Sequence, residues 1–329
     1  MVSDAMGDSH ETFKWAQTHN RAGMPASIVR LSRSLNGSPL RVKLIGIGSA
    51  GCNIIEGAPF STVAFTTSPS DMARSHAERK FVISQDRLIG LSDPSAEILK
   101  QMPEIVGHEI PDLFNNTDLV FLMCGLGGLT GSLGSKLVAG VARAKGVTAI
   151  AHVATPFSAE SYRRREVASQ AVGELLSSTS LCVEFSNDKL SSLGSNIQLS
   201  RAFGILNGIM LRPAIDVSSV LSRMDIASYR QMIGDSTRAR FGLGLARGDD
   251  RVQKVVREAL SSPWFDFDVK ESTTAVAIYS ASDPWDREAE RILETLRAAL
   301  PVTSILWGQY PDQALGERIR LSIILCRKR

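Results

Sequence analysis

The regular alternation of short apolar runs with helical stretches restricts the fold of this chain more than any other feature of its sequence. Six strand-like runs, rich in β-branched and apolar residues, lie at residues 41–47, 62–67, 81–84, 118–124, 147–154 and 181–185. Helical stretches such as 132–145 and 160–176 separate them. Near-continuous apolar strands joined by helices indicate a parallel sheet that is covered on both faces, because parallel neighbours need crossover connections. We therefore predict a doubly wound α/β domain over residues 41–196.

The remaining sequence predicts an extension, a central helix and a second domain. Residues 1–40 are polar and predict a partly disordered extension, in which one short amphipathic helix is suggested by Ile28, Val29, Leu31 and Leu35. Residues 197–224 predict a central helix that Pro213 should kink or break, because proline lacks the backbone N–H and crowds the preceding turn. Residues 225–329 predict a smaller α/β domain with helices at 249–260 and 284–300 and strands at 273–280, 303–307 and 318–326.

Charge, apolar run length and cysteine placement exclude several classes of protein. The formal net charge is only +3 and the basic residues are mostly scattered, so we expect no nucleic-acid partner. The longest apolar runs are strand-sized, so no transmembrane segment is expected. Four cysteines lie far apart without metal-ligand spacing, which predicts buried thiols in a reducing cytosol and no metal cluster. The N-terminus lacks the pattern of a secretory signal, so a cytoplasmic location is expected.

The first predicted strand ends in a glycine loop. Residues 46–53 read Gly-Ile-Gly-Ser-Ala-Gly-Cys-Asn, with glycines at the spacing of the dinucleotide fingerprint. Such glycines let backbone N–H groups approach a pyrophosphate at a helix N-terminus. A dinucleotide site also needs an acid that closes the second strand. That strand ends at Thr66, Thr67 and Ser68, and Asp71 lies three residues beyond. By itself the loop is compatible with a Rossmann-type enzyme or with tight strand–helix packing without a ligand.

A second glycine loop favours a nucleotide polyphosphate. Residues 125–132 read Gly-Leu-Gly-Gly-Leu-Thr-Gly-Ser and lie between a strand and a helix. Backbone N–H groups together with the hydroxyls of Thr130 and Ser132 suit phosphate groups at a helix N-terminus. The sequence contains no Gly-Lys-Ser/Thr, which excludes the Walker type of loop. Two such loops at one sheet edge predict a nucleotide site, in which leucine at position 131 should fill the space that a phosphate needs.

The two loops together resemble those of the FtsZ and tubulin family. Residues 127–133 are similar to the family signature Gly-Gly-Gly-Thr-Gly-Thr-Gly, with Leu129 for the third glycine, Ser132 for the second threonine and Leu133 for the last glycine. The likeness runs from Arg41 to the end of the chain, and residues 261–263 with the strands after them resemble the C-terminal domain of the family. The resemblance implies a tubulin/FtsZ-like fold, with a nucleotide-binding domain, a central helix and a smaller α/β C-terminal domain.

The resemblance also implies a set of ligand contacts. Residues 155–157 read Thr-Pro-Phe and, with Glu160 and Arg164, look like the family's ribose loop. Asn187 stands where the family reads the guanine edge. The implied ligand is GTP or GDP, with Mg²⁺ as a candidate companion ion. The implied nucleotide-binding residues are Gly48, Ser49, Ala50, Gly51, Cys52, Asn53, Gly127, Gly128, Leu129, Thr130, Gly131, Ser132, Glu160, Arg164 and Asn187.

The sequence departs from the family where the central helix begins. In FtsZ this helix opens with Ala-Phe-Gly and soon carries Asn-Asp, whose aspartate helps to recognise guanine. Here Ala202, Phe203 and Gly204 are followed by Asn207 and Gly208, so that carboxylate is missing. A lost hydrogen-bonding partner weakens discrimination between bases.

A second departure concerns the loop that one subunit of the family inserts into the nucleotide site of the next. The family pattern is Asn-x-Asp-x-x-Asp, whereas residues 223–228 read Arg-Met-Asp-Ile-Ala-Ser. We take Asp225 and Arg223 as the catalytic candidates, with Ser228 in place of the second acid. Asp216 is the alternative to Asp225 if the gap is placed differently. A helix cap is the structural alternative for Asp225, and Arg223 has a second interpretation as an arginine finger.

These observations predict a GTP-binding cytoskeletal protein that polymerises head to tail and hydrolyses GTP slowly at the subunit interface. The expected partners are further copies of the chain, with an FtsZ-like paralogue as a second candidate. One alternative is a nucleotide-binding partner of another FtsZ-like polymer, without hydrolysis. A Rossmann-type dinucleotide enzyme is the other alternative, and both the second loop and the missing acid count against it.

Overall fold

One continuous sheet of eleven strands runs through the described part of the chain. The computed structural model describes residues 28–31, 40–90, 109–193, 197–222, 225–234 and 237–327. The strands are β1 (Ile28–Leu31), β2 (Val42–Ile47), β3 (Ser61–Thr66), β4 (Arg79–Val82), β5 (Leu119–Gly125), β6 (Thr148–Thr155), β7 (Leu181–Ser186), β8 (Thr237–Ala246), β9 (Thr274–Ala281), β10 (Ser304–Pro311) and β11 (Ile319–Arg327).

Helices cover both faces of this sheet. They are α1 (Gly48–Ile54), α2 (Pro69–Arg74), α3 (Gln85–Gly90), α4 (Glu109–Asp112), α5 (Leu129–Ala144), α6 (Tyr162–Ser178), α7 (Leu199–Val220), α8 (Asp225–Ile233), α9 (Arg251–Leu260) and α10 (Asp286–Ala299). Short 3₁₀ turns lie at Asn187–Leu193, Val269–Glu271 and Gln313–Leu315.

The strand order places both glycine loops at one point of the sheet. The order is β1-β10-β9-β11-β8-β7-β6-β5-β2-β3-β4. Neighbouring strands from β4 to β8 in this order all run parallel, which confirms the doubly wound fold. The chain moves outward from β2 to β3 and β4, and then returns to β5 on the other side of β2. The carboxyl ends of β2 and β5 are therefore neighbours at a topological switch point, where open α/β sheets bind ligands.

The strands of the C-terminal domain continue the same sheet. Strand β8 pairs in parallel with β7, and β11 pairs antiparallel with both β8 and β9. Strand β1 pairs in parallel with β10, so the helix expected near Ile28 is wrong for residues 28–31. The open edge of β10 offers backbone partners, and the β-branched residues Ile28 and Val29 suit a strand. Leu35 lies outside the described residues.

Three apolar clusters form the core. The first lies on the side of α5 and α6 and includes Ile45, Phe65, Leu122, Leu137 and Val172. The second joins the sheet to α7 and includes Phe121, Phe185, Met210, Val217 and Phe241. The third lies beneath α9 and α10 and includes Val255, Ile292, Leu296, Trp307 and Ile323. Helix α7 thus packs against strands of both domains.

Of the kink or break predicted at Pro213, the break is wrong, because helix α7 continues through this residue. The helix runs without interruption from Leu199 to Val220, and Pro213 is buried within it. An interior proline costs about 3 kcal/mol of helix stability, which burial of the neighbouring apolar side chains offsets. The Met210 carbonyl, in the turn before Pro213, also accepts a hydrogen bond at 2.8 Å from Nδ1 of the buried His152 on β6.

Candidate functional site

Two helix N-termini meet at the switch point. Ile47, the last residue of β2, pairs with Cys124 near the end of β5. Helix α1 follows directly at Gly48, and α5 begins at Leu129. Gly128 is the N-cap residue of α5 and makes no side-chain hydrogen bond to it. The first turn of α5 carries no acidic residue. First-turn N–H groups and the positive end of the helix dipole therefore favour an anion here.

The glycines of the two loops serve different purposes. Gly48 and Gly127 have φ angles of 70° and 95°, a left-handed conformation that other residues rarely adopt. A Cβ at Gly51 would lie 2.1 Å from the Met123 carbonyl oxygen, so this glycine lets α1 pack directly on β5. Ser49, Ala50 and Asn53 are exposed on α1.

The open position of the second loop is Gly128 and not Gly131. A Cβ at Gly131 would lie 1.9 Å from the Gly125 carbonyl oxygen, so leucine there would disrupt the loop backbone and would not simply fill phosphate space. The expected reason for the effect of leucine at position 131 is therefore wrong. A Cβ at Gly128 meets no atom of the described structure within 4 Å. Gly128 is thus the loop position whose side chain would enter open space beside the N-terminus of α5.

Asp71, which the sequence places three residues beyond the second strand and to which the sequence pattern assigns no role, supports the first loop. The Ser49 hydroxyl donates a short hydrogen bond to the carboxylate of Asp71, which is 7% exposed and also accepts from Arg74 at 2.6 Å. Burial raises the pKa of Asp71, but the hydrogen bonds from Ser49 and Arg74 outweigh it and the pKa lies below its ordinary value. The signal for this residue was its place just after β3, whose carboxyl end lies at the same edge as both loops.

Hydroxyl groups complete the second loop. The hydroxyls of Thr67 and Thr130 lie 2.6 Å apart, which links the end of β3 to the start of α5. The Ser132 hydroxyl accepts from the Gly127 N–H at 3.0 Å and is 2% exposed, so it shapes the loop from behind. Thr130 is thus the better-placed hydroxyl for a phosphate.

The Cys52 side chain faces the core. It is 4% exposed, and its Sγ lies 3.7 Å from the Gly46 carbonyl oxygen. Burial raises the pKa of the thiol to about 11. Only the backbone of Cys52 can therefore contact a ligand. Leu129, the first residue of α5, is half-buried.

The predicted ribose loop is held by its own acid. Glu160 accepts from the Phe157 N–H at 2.8 Å and forms an ion pair with Arg164 at 3.0 Å. The Ser161 hydroxyl caps α6 by accepting from the Arg164 N–H. Glu160 and Arg164 are thus brought together beside the carboxyl end of β6, where the resemblance places the sugar.

One predicted base contact has unused hydrogen-bonding capacity. Oδ1 of Asn187 is buried and has no hydrogen-bond partner among the described residues. Other buried atoms, such as those of Tyr229 and Trp264, also lack partners in the described structure. Asn187 differs from them by its place directly after β7, at the edge where both glycine loops lie. Phe203 lies nearby on the ribose side, with its ring centroid 6.1 Å from that of Phe157. A Cβ at Gly208 would meet no described atom within 4 Å, so the position of the missing acid is open.

The catalytic candidates lie at the opposite end of α7. This helix leads from the nucleotide edge after β7 to the start of β8, and its 22 residues span about 33 Å at about 1.5 Å per residue. Asp225 follows as the first residue of α8, where it accepts from the Ser222 N–H at 2.9 Å and the Ser222 hydroxyl at 2.6 Å. Within one chain Asp225 is therefore tied to Ser222, just before α8, and it follows the C-terminal end of α7. Arg223 lies outside the described residues.

Asp216 belongs to an interior network that joins α7 to the C-terminal strands. Its side chain is fully buried and accepts from Tyr310 at 2.6 Å, from Ser322 and, at 3.4 Å, from Arg320 and Arg212. Each carboxylate oxygen is thus engaged inside the chain. These contacts favour Asp225 over Asp216 as the acid that a neighbouring molecule can reach.

No group of three or more metal-binding side chains is found within the described ranges. The carboxylate of Asp71 is the donor type that Mg²⁺ prefers, and phosphate oxygens and waters usually supply the other ligands of such an ion. Both Asp71 oxygens already accept hydrogen bonds, from Ser49 and Arg74. Among the described helices, none is long and apolar enough to cross a membrane.

Comparison with known proteins identifies both halves of the chain. Residues 41–195 match the model of the Tubulin/FtsZ family GTPase domain, and residues 237–327 match the FtsZ family C-terminal domain. The cell division protein FtsZ of Methanothermobacter thermautotrophicus is 30% identical, with 98% of this chain and 88% of the relative covered. The FtsZ 1 protein of Archaeoglobus fulgidus is 31% identical, with 86% and 81% covered.

Solved structures show the same fold. An empty FtsZ dimer of M. jannaschii matches with a TM-score of 0.75 and 23% identity, over 97% of this chain and 92% of the other. CetZ2 from Haloferax volcanii, a GTPγS-bound protofilament, matches with a TM-score of 0.68 and 18% identity, over 87% and 92%. With two glycine loops at the switch point and relatives that match along almost the entire chain, this protein belongs to the tubulin/FtsZ family of cytoskeletal GTPases.

Proposed function

We propose that this chain binds GTP and GDP at the switch point and assembles head to tail into filaments. The phosphates bind at the N-termini of α1 and α5, where the hydroxyl of Thr130 and the backbone around Gly128 are available. Glu160 and Arg164 contact the ribose, and Asn187 uses its unpartnered Oδ1 on the guanine edge. Mg²⁺ accompanies the phosphates beside Asp71.

The observation that carries the assembly is the distance between the two ends of α7. Helix α7 is about 33 Å long; its N-terminal end follows the loop after β7, and Asp225 follows its C-terminal end. A carboxylate so placed acts on a phosphate only in a second molecule that stacks with its nucleotide edge against this end. Such a contact joins two different surfaces, and its repetition produces an open filament unless the rotation closes a ring.

Hydrolysis in this filament is slow. Asp225 is the single acid that remains of the family's pair, and its carboxylate already accepts two hydrogen bonds from Ser222. An absent positioned acid or base lowers a rate by about 10²-fold or more. The same observations support the second candidate function, a nucleotide-binding polymer partner that does not hydrolyse GTP.

Mixing two defective variants tests the shared site. Gly128→Leu places a side chain in the phosphate space, whereas Asp225→Asn removes the charge and keeps an acceptor for Ser222. Each variant alone should release phosphate at background rate. An equal mixture should recover about a quarter of the wild-type rate, because about one random head-to-tail contact in four combines an intact loop with an intact carboxylate.

Three results separate the proposals. Recovery in the mixture supports a site built from two chains. Wild-type turnover that Asp225→Asn leaves unchanged would exclude Asp225 as the acid. Wild-type filaments that form with GTP and release no phosphate would favour the polymer partner over the slow GTPase. The nucleotide recovered from purified, denatured protein tests the underlying assumption, and recovery of NAD in place of GDP or GTP would refute it.

A further inference from the structure

Asp188 joins two loops of the predicted nucleotide site. One is the turn after β7 that carries the predicted base contact Asn187, called the base loop here, and the other is the ribose loop that begins at Thr155. Asp188 follows Asn187 directly, and its Oδ1 accepts from both the backbone N–H and the hydroxyl of Ser158, at 2.8 Å and 3.0 Å. Ser158 in turn follows Phe157 in the ribose loop. Hydrogen bonds to a carboxylate are stronger than those between neutral groups, and two donors on one oxygen fix its position. One side chain therefore connects two loops that are 30 residues apart in sequence.

Both ends of this connection are anchored. The backbone N–H of Asp188 donates to the Ser186 hydroxyl at 3.3 Å, and its carbonyl accepts from Ser191 at 2.8 Å. On the other side, the Ser158 carbonyl accepts a short hydrogen bond from Arg165 on α6. Because neither end moves independently of its own element, the Asp188–Ser158 contact transmits the position of β7 to the ribose loop.

The Asp188–Ser158 contact is important for the position of the two loops because it borders open space. A cavity of about 320 Å³ borders the two loops, with Ser158 and Asp188 in its wall together with Arg165, Glu184 and Arg238. The Asp188–Ser158 contact thus borders open space on this side. The Asp188 carboxylate is exposed, so its loss should not disturb the core.

We propose that Asp188 is a positioning residue that sets the spacing between the base contact at Asn187 and the ribose contacts at Phe157 and Glu160. This inference rests on the proposed binding of a guanine nucleotide. Asp188 does not touch the nucleotide. It holds the two loops at the separation at which one nucleoside contacts both. The entropy cost of ordering the loops is therefore incurred on folding and does not weaken nucleotide binding.

The test compares ligands that do and do not need this spacing. Asp188→Ala should weaken GTP binding by about tenfold, as expected for the loss of a charge-assisted contact. Binding of tripolyphosphate, which has neither base nor sugar, should stay unchanged. Asp188→Asn keeps an acceptor for Ser158 and should recover most of the GTP affinity. Both affinities can be measured by competition against a fluorescent GTP analogue.

Two further variants sharpen the result. Ser158→Ala keeps the backbone donor and should lose about threefold in GTP affinity, and its combination with Asp188→Ala should be no weaker than Asp188→Ala alone. Asp250→Ala is the matched control, since it removes an exposed carboxylate that pairs with Lys254 at 2.7 Å in the C-terminal domain. It should change neither affinity.

The outcomes distinguish this inference from the proposed function. Equal GTP affinity of Asp188→Ala and wild type would overturn the positioning role alone. Parallel losses of GTP and tripolyphosphate affinity would also overturn it, because they would indicate general loosening of the site. A wild-type chain that binds tripolyphosphate but not GTP would overturn the proposed function, and the positioning role with it.

Discussion

The two ends of helix α7 differ in whether the predicted functional groups near them find hydrogen-bond partners within one chain. At the nucleotide end, Oδ1 of Asn187 is buried without a partner in the described structure, and the Gly128 position is open. At the other end, the Asp225 carboxylate is engaged by Ser222. The hydroxyls of Ser218 and Tyr229 near the far end also lack partners within the described ranges, but of these atoms only the Asn187 oxygen lies at the sheet edge of the two glycine loops, where a ligand can supply the missing donor. We infer that the ligand site is preformed in each chain and that the catalytic end acts only against a neighbour.

The largest effect is expected from closing the nucleotide end. Gly128→Leu should reduce GTP affinity by about 100-fold or more, because the new side chain occupies phosphate space and the extended backbone at φ −103° accepts leucine without strain. Gly173→Leu on α6 is the matched control, since its Cβ also meets no described atom within 4 Å. Isothermal titration with GTP measures both, and full affinity in Gly128→Leu would place the phosphates elsewhere.

The next effect concerns the middle of α7, where the Met210 carbonyl accepts a hydrogen bond from His152 on β6. Burial lowers the pKa of His152 to about 4, well below its ordinary value of 6.5, while the Met210 carbonyl opposes the shift in part. The unfolded chain therefore binds a proton first as the pH falls. Stability is fully present above pH 6.5 and decreases toward pH 4, by about 3 kcal/mol at about 1.4 kcal/mol per pH unit.

Urea unfolding between pH 7 and pH 4 checks this decrease. His152→Gln retains a donor for Met210 but does not titrate, so the difference between the two unfolding profiles isolates the histidine. The variant should lose less stability than the wild type over this range. Identical profiles would show that other groups dominate the acid response, and Asp71, whose lowered pKa acts in the same direction at lower pH, would then be the first to examine.

A third effect is expected at the far end of α7. Ser228→Asp should raise phosphate release by up to about 100-fold, because it returns an acid three residues after Asp225 on the same face of α8. An acid in the first turn of a helix also suits the helix dipole, so α8 should stay folded. The measurement is phosphate release at concentrations where filaments form.

Arg223 requires its own variant in the same assay. Arg223→Asn restores the amide of the family pattern and should change the rate little if the missing acid limits hydrolysis. Brisk wild-type turnover that collapses in Arg223→Asn would instead identify an arginine finger, which can stabilise transition-state charge. That result would contradict the proposal that hydrolysis is slow.

Local patterns predicted the nucleotide edge because its geometry depends on residues adjacent in sequence. A glycine loop between a strand and a helix sets its own backbone, and parallel strands bring their carboxyl ends to one edge. The same reasoning could not separate Gly128 from Gly131, because the difference depends on whether Cβ points at the Gly125 carbonyl or into open space. It also assigned no role to Asp71, because that role depends on the side-chain contact with Ser49.

Long-range contacts explain the errors in the rest of the chain. Pro213 predicts a helix break by local rules, yet the packing of α7 between two sets of strands overrides the local cost. Residues 28–31 form a strand because the edge of β10, almost 280 positions later in the sequence, is available for pairing. Neither partner can be read from the sequence around the element itself.

The smallest predicted effect restores the missing acid at the nucleotide end. Gly208→Asp should increase the preference for GTP over ATP by about tenfold, because a carboxylate accepts from the guanine N1–H and 2-amino groups that adenine lacks. The helix leaves open space at this position, so the side chain enters without a clash. The observable is the ratio of the two dissociation constants, in which a uniform change in affinity cancels.

Two controls make this last change decisive. Gly208→Asn offers a hydrogen bond without the charge and should gain less, whereas Gly173→Asp adds the same charge at another open helix position and should leave the ratio unchanged. Both Gly208 variants also remove a helix glycine, which stabilises α7 by only about 0.3 kcal/mol without affecting base preference. An unchanged ratio in Gly208→Asp would mean that the base does not lie against this turn of α7, and the assignment of Asn187 to the guanine edge would then have to be given up.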